Sequence, residues 1–198
     1  MTAGAGKRAT PIRRCGWAEG NALLSEYHDR EWGVPVHDDR QHFEFLILEA
    51  AQAGLSWLIV LRKREGYRKA FARFDFTKVA KFDEKDVARL VNDPGIVRNV
   101  LKIRSSIENA RRFLEVRKEW GTFDKYLWGF VGGKPMVNKV GLYRDLPPHT
   151  ELSDAVSKDL KKRGFRFVGS TVIYAHLQAV GIVNDHEDGC FRKKKVSP

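Results

Sequence analysis

Apolar positions recur with a helical period along most of this chain and with a strand period almost nowhere. Phe43, Leu46, Ile47 and Ala50 stand at i, i+3, i+4, i+7 behind Asp38 and Asp39, which can cap a helix that Gly54 ends. Ser56 can cap the next, which runs through Trp57, Val60 and Leu61 towards Phe71. Asp83 opens a short helix with Val87, Leu90 and Val91, stopped by Asn92-Asp93-Pro94-Gly95. The longest pattern follows, with Val100, Ile103, Ile107, Ala110 and Leu114 on one stripe. Phe123, Tyr126, Leu127 and Phe130 predict a short helix before an irregular stretch from Gly132 to His149. Ser153 can cap a helix reaching Arg163, and Gly169 to Val180 predicts the last, closed by Gly181. Gly132-Gly133-Lys134-Pro135 can turn a small hairpin, but nothing requires a sheet. The expected fold class is all-α, with six or seven helices.

Composition narrows the setting. The chain has 198 residues, 42% of them hydrophobic, which suits one domain with a real core. No stretch reaches the ~18–20 apolar residues of a membrane helix, and no apolar run near the start resembles a signal peptide. Two cysteines are too few for a disulfide framework. A monomeric protein of the reducing cytoplasm, in the neighbourhood of the nucleoid, is expected. Residues 1–13 predict a disordered basic lead-in, 14–190 a single domain, and 191–198 a basic tail. The formal charge of +11 is concentrated at those ends: Lys7, Arg8, Arg13 and Arg14 at one, Arg192 and Lys193 to Lys195 at the other. Within the body, Arg62 to Arg73 holds six bases against one acid, and Lys158 to Arg166 five against one. Two such patches indicate a polyanionic partner better than the total does.

Three constellations carry candidate chemistry. Cys15-x12-His28 and His186-x3-Cys190 supply two thiolates and two imidazoles, a full tetrahedral zinc set. Four protein ligands would leave no open position, so the metal would be structural and would clip the first ordered segment to the last. Spacing alone also allows two ordinary cysteines beside surface histidines. Trp17, Tyr27, Trp32 and Trp57 flank one buried-looking helix on which Phe45, Glu49 and Gln52 share a face. Glu49 follows Leu46-Ile47-Leu48, where a carboxylate must be paired, ligating or working. Aromatic faces around an acid suit a flat cationic base; a glutamate reaching water or an arginine at the helix boundary is the plainer alternative. Finally, Lys161-Lys162-Arg163-Gly164-Phe165-Arg166-Phe167-Val168-Gly169 joins two helices. A glycine at a helix start, with lysines nearby, makes a phosphate-binding arrangement, or simply a capped turn with a solvated face.

Together these residues resemble the bacterial 3-methyladenine DNA glycosylase I family. The matching segments are Arg14-Cys15-Gly16-Trp17, Tyr27-His28-Asp29 with Glu31 to Pro35, Leu48-Glu49 with Gln52 to Trp57, Leu160 to Phe165 with Phe167-Val168-Gly169, and Val183 to His186 with Gly189-Cys190. The resemblance spans about residues 14–190. It implies a helix-hairpin-helix fold, with 153–181 as the module that grips double-stranded alkylated DNA through Lys161, Lys162, Arg163, Gly164 and Gly169. It implies a zinc clasp of Cys15, His28, His186 and Cys190. It implies Glu49 as the catalytic residue at the alkylated base, Tyr27 and Trp57 sandwiching that base, Trp17 and Trp32 shaping the pocket, and Gly54 and Leu55 entering the gap in the duplex. The implied activity is hydrolysis of the N-glycosidic bond of 3-methyladenine by a monofunctional enzyme, releasing the free base; a zinc-stabilised DNA-binding module without catalysis is the alternative. Two departures stand out: Leu24 occupies a position where the family often has an aromatic, and Asn184 stands where related glycosylases have a catalytic Asp. Asp185 would then orient a metal ligand or cap a turn.

Overall fold

The computed structural model describes residues 12–196. Positions 1–11 of the expected lead-in and 197–198 of the expected tail lie outside the described residues. The chain forms nine α-helices among them: α1 Ala22–Arg30, α2 Asp39–Gln52, α3 Trp57–Ala70, α4 Phe76–Val79, α5 Glu84–Val91, α6 Val100–Trp120, α7 Phe123–Gly129, α8 Glu151–Lys162 and α9 Ser170–Ala179. Most boundaries follow the capping chemistry. Asp38 accepts from Gln41 N at the start of α2, and Asp83 and Asp86 form a reciprocal capping box on α5. Asn99 and Thr122 cap α6 and α7. The cap of α8 is Thr150, three residues before Ser153, the residue expected to cap the helix, which serves instead as its box partner. Ser56 occupies the cap position of α3 without a side-chain cap bond.

The α2 helix is the hub. Ten of its fourteen residues, from His42 to Ala51, are buried, so it reads as apolar on nearly every face, with α3, α6, α7 and α9 packed around it. On α6 the stripe holds at Ile103, Ile107 and Ala110 and continues through Phe113 and Val116. Val100 is exposed and Leu114 only half-buried, because both lie towards the edge of a buried face that is centred on Ser106, Asn109 and Phe113.

The Gly132–Pro135 segment does not turn a hairpin. Instead two-residue strands, β1 Met136–Val137 and β2 Val183–Asn184, pair in parallel with Met136 opposite Val183. This pair draws the irregular 138–149 loop alongside the chain end. Residues 191–196 turn back onto the domain: Val196 is buried, Phe191 N donates to Arg13 O, and Lys193 Nζ donates to the carbonyls of Asn138 and His186. No helix of the described residues is long and apolar enough to cross a membrane.

Candidate active site

The aromatic constellation closes on one hollow. Trp17, Tyr27, Trp32, Glu49, Gln52, Trp57, Tyr143, Ala175 and Gln178 line a pocket of about 200 Å³. It opens beside a larger groove that shares Glu49, Gln52, Tyr143, Ala175 and Gln178 and is bounded by Gly54, Leu55, Pro147, Thr171 and Val172. Helix α1 presents Tyr27, α2 presents Glu49 and Gln52, the first turn of α3 presents Trp57, and α9 presents Ala175 and Gln178. Trp17 comes from the 3-10 turn Gly16–Ala18 that follows Cys15.

The polar groups of this wall face the hollow without protein partners. Trp17 Nε1, Tyr27 Oη, Trp57 Nε1 and Glu49 Oε2 are all buried and unpaired. A buried polar atom without a partner costs about 1–3 kcal/mol, so four around one hollow describe a site built for a ligand. Burial pushes the Glu49 carboxyl up to about 8. Burial, then the neighbouring Glu49, raises the Tyr27 hydroxyl, which stays protonated as a donor. Three donors beside one carboxylate can read the ring nitrogens and the exocyclic amine of a purine.

The Tyr27 and Trp57 rings, whose centroids lie 5.3 Å apart at 52°, do not form the expected sandwich. Two van der Waals layers of ~3.5 Å would be needed to admit a base between them. They form a corner, and the opposite wall is Tyr143. Its ring is 6.0 Å from Trp17 and 5.8 Å from Trp32, its hydroxyl donates to Gln178 Oε1 at 3.2 Å, and burial raises its pKa. Leu24 packs half-buried against the core and is not among the lining residues. Tyr143, Gln178 and the lining role of Gln52 were not anticipated from sequence; only Gln52, one turn along α2 from Glu49, carried a local signal.

The metal residues also converge. Donor atoms of Cys15, His28 and Cys190 lie within 4.8 Å of one another, all buried. The His186 ring is 5.2 Å from that of His28, and its Nε2 is buried with no partner. Each imidazole has Nδ1 on an oxygen, His28 on Asp29 at 2.9 Å and His186 on Asn184 at 3.0 Å, which directs both Nε2 lone pairs inward. Arg14 grips Asp29 in turn. A hydrogen bond from the Cys15 thiol brings Cys190 down to about 4 and raises Cys15 itself. Two sulfurs and two inward nitrogens, one of them the orphaned Nε2 of His186, fit a tetrahedral metal. Asn184 thus orients the His186 ring, and Asp185 does not: it accepts from Tyr174 at 2.6 Å, Gln178 at 2.7 Å and Asn138 at 2.8 Å, holding the back of the pocket.

The α8–α9 turn ends α8 with two hydrogen bonds, in which Gly164 N donates to Lys161 O and Phe165 N to Leu160 O. Asn109 clamps Arg166 at both its N–H and its carbonyl, at 2.8 and 2.9 Å. Gly169 has no side chain to cap the start of α9, so the first N–H groups of that helix have no intrahelical or cap partner. Lys161 and Lys162 are exposed, whereas Arg163 is taken up by Asp159 and Glu119 and lies over Tyr126.

A methyladenine glycosylase family model matches residues 17–193. DNA-3-methyladenine glycosylase 1 of Escherichia coli is 49% identical, over 90% of this chain and 96% of its own length. The Haemophilus influenzae DNA-3-methyladenine glycosylase is 44% identical over 89% and 96%. A Staphylococcus aureus 3-methyladenine DNA glycosylase I structure that concerns 3-methyladenine recognition superposes with a TM-score of 0.88 at 34% identity, covering 91% of this chain and 96% of that one. Sharing motifs, fold and nearly its full length with these proteins, the chain belongs to the methyladenine glycosylase family.

Proposed function

We propose that this protein is a monofunctional DNA glycosylase that hydrolyses the N-glycosidic bond of 3-methyladenine in alkylated duplex DNA, leaving an abasic site. The observation that carries the reading is the unpaired Glu49 carboxyl among the unpaired Trp17, Tyr27 and Trp57 donors of one aromatic hollow. A binding module without chemistry would keep the helical hairpin and the metal cluster but would have no use for that carboxyl. An alkylated adenine carries positive charge until its glycosidic bond breaks, so the base departs neutral and needs little protonation. The aromatic walls gain a cation–π component from that charge. Glu49, as carboxylate, accepts from the exocyclic amine and offsets the charge. A base reaches such a pocket only by leaving the stack, and Leu55 beside Gly54 at the groove mouth would fill the space it vacates. As the bond lengthens, positive charge grows on the sugar, where DNA phosphates and Glu49 oppose it, and water completes the hydrolysis.

The α8–α9 turn acts in this reading as a helix-hairpin-helix. Its uncapped N–H groups at Gly169 and the turn after Gly164 hold phosphates, Lys161 and Lys162 add salt-dependent attraction, and Arg163 braces the hairpin from behind. Cys15, His28, His186 and Cys190 would hold one zinc ion, whose contribution is structural because the set is closed. The test is base release from an oligonucleotide: 3-methyladenine freed faster than 7-methylguanine, and undamaged adenine not at all. Equal release of normal bases, or none of 3-methyladenine, overturns the reading.

A further inference from the structure

The connection between α2 and α3 is a type II turn. Leu55 N donates to Gln52 O at 2.6 Å, Ala53 has φ −44° and ψ 113°, and Gly54 has φ +79°. A Cβ at Gly54 would meet nothing within 4 Å, so glycine stands there for its backbone angle and not for space. The two ends of the turn face the site differently: Gln52 lines the aromatic hollow, while Leu55, 37% exposed, sits at the mouth of the groove.

A turn of this kind has a soft coordinate. Rotating its central peptide by about half a turn converts type II to type I and swings the central carbonyl to the opposite face. Here that carbonyl is Ala53 O, and it is held. Lys102, in the first turn of α6 and almost entirely buried, extends its ammonium to Ala53 O at 2.6 Å and to Ala51 O at 2.8 Å. One carbonyl belongs to the last turn of α2, whose end carries partial negative charge; the other belongs to the turn itself. Lys102 forms no ion pair with an acidic side chain among the described residues, and burial lowers its pKa. An ammonium kept there against desolvation has those carbonyls as its reason.

We infer that Lys102 is a positioning residue which locks the Gln52–Leu55 turn in its type II form, so that Leu55 is presented rigidly to the duplex while a nucleotide is extruded. The inference rests on the proposed glycosylase activity. Lys102 is not among the residues that line the hollow, and its ammonium is bonded to the backbone carbonyls of Ala51 and Ala53, so its effect falls on opening the helix and not on recognising the base.

Lys102→Met removes the donors and keeps the length. Three measurements on the full-length protein separate the roles: excision of 3-methyladenine from a duplex, excision from a single strand, and binding of free 3-methyladenine by tryptophan fluorescence. The expected result is at least a tenfold loss of duplex excision, a clearly smaller loss on the single strand, and free-base affinity within twofold of wild type. Lys102→Arg, which keeps a donor, should recover most of the duplex rate. Gly54→Ala, which strains the same turn from within, should reproduce the duplex-specific loss and keeps the test open if Lys102→Met does not fold. Equal losses in all three measurements, or an unchanged duplex rate, overturns the inference. A wild-type protein without excision would overturn the functional reading instead.

Discussion

The amide of Gly16 donates to Oε1 of Glu187 at 3.1 Å, across 171 residues of sequence. The same oxygen accepts from the amide of Tyr143 at 3.0 Å. One buried carboxylate, adjacent to His186, therefore holds both the turn that presents Trp17 and the loop that presents Tyr143, and its own amide donates to Cys15 Sγ. The cysteine–histidine cluster and the aromatic hollow are mechanically one unit.

Glu187→Ala should accordingly weaken base binding although Glu187 is not part of the lining. Two amides lose their acceptor, at about 1–3 kcal/mol for each that stays buried. Thermal unfolding should shift down, and free 3-methyladenine affinity should fall several-fold in a fluorescence titration. Glu187→Gln keeps an acceptor oxygen and should lose less of both. Unchanged affinity in the alanine variant would show that Trp17 and Tyr143 hold their places unaided.

That shared carboxylate also marks where sequence stops being informative. Caps and apolar periods are local, so α2 and α5 were readable from Asp38 and Asp83 with the residues behind them, and α6 and α7 from their apolar spacing alone. Helix α1 was not, since Ala22–Arg30 keeps only Tyr27 and His28 buried and gives no apolar stripe; Asn21, which caps it through Leu23 N and Leu24 N, was the available signal. Strands of two residues have no period to detect. Tyr143 opens a short 3-10 turn within an otherwise irregular loop and is held at the site by Glu187, Gln178 and the rings of Trp17 and Trp32, all distant in sequence. The aromatic and acidic parts of the pocket were legible because each falls within a few residues of a recognisable motif.

Metal content should be one zinc per chain, and its removal should destabilise the protein without a separate chemical defect. Chelation under mildly denaturing conditions should lower the melting temperature by about 10 °C or more, as expected when several kcal/mol are lost from a domain of this size. Cobalt substitution should preserve excision, since a closed ligand set has no position for substrate. Gly33→Ala offers a second route to the same loss. Its φ is +75°, and a Cβ there would lie 2.4 Å from His186 Cε1. Elemental analysis should find less than one zinc in that variant; full metal content would displace His186 from the ligand set.

Glu49→Gln should stabilise the free protein while it depresses excision. The folded carboxyl titrates near 8 instead of 4.5, so between those values folding retains a proton that the unfolded chain releases. Wild-type stability therefore falls, relative to the variant, as pH rises from about 4.5 through 8. The deficit is about 1.4 kcal/mol for each pH unit between the two values, or on the order of a few kcal/mol at pH 8. Denaturant unfolding of both proteins at pH 5 and pH 8 should show the variant's advantage only at the higher pH. An equal gap at both would place the Glu49 carboxyl in its ordinary range.

Excision should show the same titration in the opposite sense. Recognition of a cationic base needs the carboxylate, so kcat/KM, which reports free-enzyme ionisations, should climb with pH, pass half its maximum near 8 and level off above that. Glu49→Gln should be slower by at least tenfold and lack this limb. Methylated duplex carries its fixed charge throughout, which leaves the enzyme as the titrating partner. A limb that survives in the variant belongs to another group.

The reaction should leave no covalent trace. The nine residues lining the hollow include no lysine, and Lys102, the buried lysine nearest the groove mouth in sequence, has its ammonium committed to Ala51 and Ala53. A protonated amine donating to two carbonyls has no lone pair for the sugar, so displacement of the base falls to water. Borohydride added during turnover should trap no enzyme–DNA adduct, and the product strand should stay intact until alkali cleaves it at the abasic site. A trapped adduct would instead require a lysine to enter the pocket when DNA binds, and peptide mapping of the adduct would identify it.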